Sequence, residues 1–103
     1  MAEAAAEELH EACRSGHVAL IRQMLDGGVP VDALNFLGFG ARTPLHTAIL
    51  CKQREAVKLL LDRGANTEAV YGGYTPLLRA ICHAKSEDIA GLLLDRGASA
   101  HAV

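Results

Sequence analysis

Histidine and cysteine are the side chains here whose chemistry works near neutral pH. The histidines are His10, His17, His46, His83 and His101, and the cysteines are Cys13, Cys51 and Cys82. His83 follows Cys82 directly, so a metal site is the first chemistry to weigh. Zinc takes about four ligands within tetrahedral reach, commonly from cysteine pairs a few residues apart. No two cysteines here are so spaced, and no metal is assigned. The glycine pairs, Gly27-Gly28 and Gly72-Gly73, lack the following Lys-Ser/Thr of a phosphate loop. No Ser-His-Asp order can be built. The sequence therefore offers no catalytic residue set and no cofactor, and we expect no enzyme. An odd number of unpaired cysteines fits reduced thiols and an intracellular protein, cytoplasmic or nuclear or both.

The elements that would position any binding residue come from a chain of 103 residues, enough for one domain over 1–103. Half the residues are hydrophobic, so a core can form, and the net charge of −2 gives no basic face for nucleic acid or a membrane surface. Apolar runs such as Ala56 to Leu61 fall far short of the ~18 residues a membrane span needs. The first residues carry no basic segment or apolar stretch of a secretion signal.

The chain repeats itself. Thr43-Pro44-Leu45 returns as Thr75-Pro76-Leu77, and Leu59-Leu60-Leu61-Asp62-Arg63-Gly64-Ala65 returns letter for letter from Leu92 to Ala98. A weaker copy lies upstream, where Leu9-His10 matches Leu45-His46 and Met24 to Gly28 matches Leu60 to Gly64. Periods of about 32 to 36 residues signal stacked helical units. Each threonine is placed to cap a helix that its proline opens. A second helix follows with an amphipathic stripe: Leu20, Ile21, Met24 and Leu25, then Ala56, Val57, Leu60 and Leu61, then Ile89, Ala90, Leu93 and Leu94. Gly28, Gly64 and Gly97 close these helices where a left-handed residue is wanted. The Asp62-Arg63 and Asp95-Arg96 pairs read as solvated charge at the helix ends.

These motifs, with Thr43-Pro44-Leu45-His46-Thr47-Ala48 and the Gly16-His17 link, resemble the ankyrin-repeat family over residues 5 to 103. The resemblance implies an all-α repeat, an ankyrin-type solenoid of three helix-turn-helix units joined by β-hairpin loops, with units near 5–40, 41–73 and 74–103. It implies that His10 and His46 satisfy backbone and threonine groups, and His17 is read the same way. It also implies a protein partner held by hairpin tips and the inner face of the first helices. Asn66 and His101 fall where some family members are hydroxylated.

Two departures from the pattern matter. The first unit has Glu7-Glu8 in place of Thr-Pro, which with Glu3 and Glu11 makes a polar outer face fit to cap a stack at its natural start. The third unit has Leu78 where the second has His46, and it lacks a polar capping unit behind it. Either the chain is part of a longer adaptor or regulatory protein, for instance one recruiting substrate to an enzyme or ubiquitin ligase, or this face packs on a second copy. Leu77, Leu78, Ile81 and Leu92 are the residues for such a homodimer. The third unit also carries one extra residue between its helices near Ala84-Lys85-Ser86. There Ser86 is placed to cap the second helix, in which Gly91 is a weak point.

All four aromatics, Phe36, Phe39, Tyr71 and Tyr74, lie in hairpin segments. Aromatic side chains carry large contact area with few rotors to freeze, which suits interface anchors. The first hairpin is longer than the second and adds Leu34 and Leu37. Thr47, Cys51, Arg79 and His83 are the candidates on the inner helix surface. The competing reading is that the aromatics pack on neighbouring hairpins.

Overall fold

The computed structural model describes residues 2–34 and 42–98. Phe36, Leu37, Phe39 and His101 lie outside the described residues. Six helices follow in order: α1 Ala2–Ser15, α2 Val18–Asp26, α3 Pro44–Leu50, α4 Arg54–Asp62, α5 Pro76–Cys82 and α6 Glu87–Asp95. They pair as three units, α1 with α2, α3 with α4 and α5 with α6. The first helices α1, α3 and α5 stack in one layer, and α2, α4 and α6 stack in a second layer behind them.

Local chemistry starts and stops these helices as expected. Thr43 Oγ1 accepts the His46 amide at 3.2 Å and Thr75 Oγ1 accepts the Leu78 amide at 3.3 Å, each with proline in the first turn. Ser86 Oγ accepts the Ile89 amide at 3.3 Å, and Glu87 and Asp88 sit at the positive end of α6. The second helices end alike in all three units. The residue after the glycine donates back to a carbonyl of the last turn: Val29 to Met24, Ala65 to Leu60 and Ala98 to Leu93. Only a left-handed residue permits that closure, and Gly28, Gly64 and Gly97 have φ of 102°, 84° and 90°.

The turn linking the two helices of a unit shows the extra residue directly. His17 donates to Ala12 and Gln53 to Ala48, but Ser86 must reach back one residue further, to Ala80. One residue in each link is left-handed. It is Gly16 in the first unit, but Lys52 (φ 56°) and Lys85 (φ 51°) in the others. Glycine at 16 also leaves room for the end of the Gln53 side chain, whose Oε1 would have to move from a Cβ 2.3 Å away. Gln53 reaches across the units to donate to the Arg14 carbonyl at 3.0 Å. His17 does not follow the expected pattern. It is exposed, and its ring makes no capping bond to α2.

The core is one continuous layer between the helices, from Leu9 and Ile21 through Leu45, Ile49, Val57 and Leu60 to Ile89 and Leu93. Solvated charge proves to be an incomplete reading of the aspartate and arginine at the helix ends. Arg63 pairs with Asp26 at 2.7 Å, and Arg96 pairs with Asp62, so each unit's arginine holds the aspartate of the unit before. These pairs are exposed and contribute at most about 1 kcal/mol each.

Candidate partner-binding surface

The hairpin between the second and third units is compact. Tyr71 and Tyr74 exchange backbone hydrogen bonds of 3.0 and 3.1 Å around Gly72 and Gly73. Both glycines have positive φ, 60° and 85°, which a two-residue turn of this twist demands. Gly72 has a further reason to lack a side chain, because a Cβ would sit 2.5 Å from Arg79 Nη2. That guanidinium comes from α5 and donates to the Tyr71 carbonyl at 2.6 Å. It also lies over both tyrosine rings, 4.9 Å from the centre of Tyr71 and 4.7 Å from that of Tyr74. His83, one turn further along, meets the Tyr74 ring edge-on at 4.7 Å.

Arg42 completes the cluster from the other side. Its guanidinium carbon is 5.2 Å from the Tyr71 ring centre, and its Nη2 donates to the Tyr71 hydroxyl at 3.4 Å. Arg42 immediately precedes Thr43, as Tyr74 precedes Thr75, so both stand at the same edge of their units. That equivalence was readable in the repeat. What the residue does there depends on the neighbouring hairpin and was not.

The sequence-derived candidates divide. Tyr74, Arg79 and His83 come together at this edge, half-buried or exposed, and Cys51 is half-buried just past the end of α3. Leu34 is exposed. Tyr71 is only 8% exposed and serves as the plate on which two arginines rest. Thr47 is buried and hydrogen-bonded to His10, so it presents no surface.

Two histidines form the frame beneath. His46 Nε2 donates to the Tyr74 carbonyl at 3.2 Å, since a carbonyl can only accept. In the neutral ring its Nδ1 then accepts, from the Thr43 hydroxyl at 2.8 Å. His10 stands in the same way one unit earlier, its Nε2 donating to the Ala33 carbonyl at 2.8 Å and its Nδ1 2.9 Å from Thr47 Oγ1, a hydroxyl that also reaches the Thr43 carbonyl at 3.4 Å. Burial of both rings favours the neutral form. Burial pushes His46 down to about 4, opposed by its bond to Tyr74 and reinforced by the charges of Arg79 and Arg42. His10 is lowered for the same leading reason. Burial also pushes the Cys13 thiol up to about 12, leaving it inert. Among the described residues no group of histidine, cysteine, aspartate or glutamate gathers to hold a metal ion, and no helix is long and apolar enough to cross a membrane.

A description of ankyrin repeats in three copies matches residues 9–103. The chain is 39% identical over 75 residues to SH3 and multiple ankyrin repeat domains protein 2 of Homo sapiens, covering 72% of this chain and 4% of that protein. It is 36% identical over 82 residues to ankyrin repeat, SAM and basic leucine zipper domain-containing protein 1 of Notamacropus eugenii, covering 80% and 16%. It is 36% identical over 78 residues to B-cell lymphoma 3 protein of Homo sapiens, covering 70% and 16%. The chain thus spans a small part of the length of these relatives.

Proposed function

The chain belongs to the ankyrin-repeat family, whose repeats are generally protein-interaction modules, and from that premise we propose that it binds a partner protein across the hairpins and the inner helix layer. The observation that carries this reading is the edge built by Tyr74, Arg79 and His83 on the Tyr71–Tyr74 hairpin. It combines aromatic area, hydrogen-bond donors and a rigid backbone turn, the ingredients of an interface anchor. The half-buried Cys51, at the C-terminal end of α3, and the exposed Leu34 extend it along the stack. Phe36, Leu37 and Phe39, which lie outside the described residues, are candidates for it on sequence grounds alone. Unpaired thiols at Cys13, Cys51 and Cys82 fit an intracellular compartment. The test is selection of binders from a peptide display library. Selected binders should lose affinity at least tenfold when Tyr74 is changed to alanine and keep it when Lys58, exposed on α4, is changed to glutamate. Binders indifferent to Tyr74 would refute this placement.

A second reading has its own observation. Ile49 and Leu61 of the middle unit are 0% and 8% exposed beneath the third unit, whereas their counterparts Ile81 and Leu94 are 54% and 49% exposed. Leu78 and Leu92 are half-exposed, while Leu77 proves to be buried in the core rather than bare. Asp95, which matches the paired Asp26 and Asp62, has no ion pair among the described residues. The face therefore has the form of one awaiting a further ankyrin unit, supplied by a longer adaptor or regulatory protein or by a second copy of this chain. Light scattering over a concentration series separates the two: a dimer abolished by Ile81→Glu supports the second copy, and a monomer at all concentrations rejects it.

A further inference from the structure

Of the seven arginines, Arg22 and Arg54 are exposed to solvent, and the other five fall into two groups. Arg14, Arg63 and Arg96 each hold a carboxylate: Glu11, Asp26 and Asp62. Arg42 and Arg79 are half-buried, yet among the described residues neither meets a carboxylate. Their partners are a ring face, a phenol and a main-chain carbonyl. Such partners hold a guanidinium in place without cancelling its charge. The Nε of each is also enclosed with no acceptor. Two positive charges are thus fixed against one tyrosine in a chain whose net charge is −2. A partly desolvated cation without a counter-ion is unfavourable, and an incoming anion relieves it. Stacking has already removed much of the freedom that binding would otherwise remove, which favours bidentate capture of a carboxylate.

The placement of the two arginines narrows the anion. Arg42 holds the hydroxyl end of Tyr71, and Arg79 holds its main-chain end. The two guanidiniums are therefore anchored at opposite ends of one residue, with their carbons 5.2 and 4.9 Å from its ring centre. Separate anchors suit two carboxylates on alternate residues of an extended strand, roughly 7 Å apart, better than a single dianion. Gly72 and Gly73 keep the adjoining turn free of side chains. His83 adds a further ring nitrogen beside Tyr74.

We propose that Arg42 and Arg79, aligned on Tyr71, form a clamp for an acidic peptide segment of the partner, each taking one carboxylate. The proposal rests on the hairpin-edge surface proposed above and names the chemistry that surface selects.

The test uses fluorescein-labelled decapeptides of alternating glutamate and alanine, their glutamine analogues, and a glutamine analogue bearing one phosphoserine, in fluorescence anisotropy titrations. The glutamate peptide should bind saturably, at least tenfold tighter than the glutamine peptide, with affinity falling as salt rises. Arg42→Gln and Arg79→Gln should each weaken it at least fivefold, whereas Arg63→Gln should leave it unchanged. Arg79→Lys keeps the charge and a donor for the Tyr71 carbonyl. It should fold as the native chain does by thermal unfolding and lose only part of the affinity. Absence of saturable binding to the glutamate peptide, or binding indifferent to both arginines, overturns the clamp. A phosphoserine peptide binding more tightly than the glutamate peptide overturns the two-carboxylate assignment. If display-selected binders depend on Tyr74 but not on Arg42 or Arg79, the surface stands and the acidic clamp falls. If they depend on none of the three, both fall.

Discussion

His46 shows how one residue links stability to pH. Its ring is wholly buried, accepts from Thr43 and donates to Tyr74, so it ties the second unit to the hairpin of the third. Its pKa is pushed down to about 4 from an unfolded value near 6.5. A base lowered in the folded state leaves the unfolded chain binding more protons once pH drops below the unfolded value. The stability it contributes is therefore complete above pH ~6.5 and is lost as pH falls towards ~4, up to a total on the order of 3 kcal/mol. Urea unfolding across that window should show this decline, and the His46 imidazole should remain neutral by NMR at pH 5.5. A ring titrating near 6.5 in the folded protein would contradict the buried, neutral assignment.

Single helices carry weaknesses that the sequence exposes to different degrees. Gly91 lies inside α6, and a Cβ there would meet nothing within 4 Å. Gly91→Ala should therefore raise stability by about 0.5–1 kcal/mol, read as a higher midpoint in chemical denaturation. Lys85 was less legible. Its left-handed φ of 51° follows from the link geometry that Gly16 satisfies in the first unit. Lys85→Gly should relieve about 1–2 kcal/mol of backbone strain, less the greater freedom glycine gains in the unfolded chain. A net gain of a few tenths to about 1 kcal/mol is expected, and a loss would mean that the lysine side chain makes a compensating contact. Helix caps and closing glycines could be read from the sequence because their partners lie within a few residues. Thr43, Thr75, Ser86 and the three glycines all behave so. The Arg63–Asp26 and Arg96–Asp62 pairs bridge different units. Nothing local marks such partners, and the repeated Asp-Arg dipeptide looked like solvated charge.

At the scale of the whole molecule, three units share one core and one register. The architecture was legible because the period is recorded twice, in the threonine-proline starts and in the leucine-rich second helices. The surface was legible only in part. Tyr74, Arg79 and His83 do meet, but Tyr71 lies beneath the guanidiniums, and Thr47 turns into the boundary between units to meet His10. Arg42 escaped notice because its role requires the hairpin of the next unit to lie beside it. The exposed Ile81 and Leu94 belong to this scale too, since only comparison with Ile49 and Leu61 shows that their exposure departs from the repeat.

The central claim is that partner recognition occurs at the hairpin edge of the second and third units. Backbone amide NMR of the labelled protein, titrated with a display-selected binder, tests it most directly. The expected result is a set of shifts centred on Arg42, Gly72, Gly73, Tyr74, Arg79 and His83 and reaching towards Leu34 and Cys51. Shifts confined instead to the outer faces of α4 and α6, around Glu55, Lys58 and Asp88, would contradict the claim.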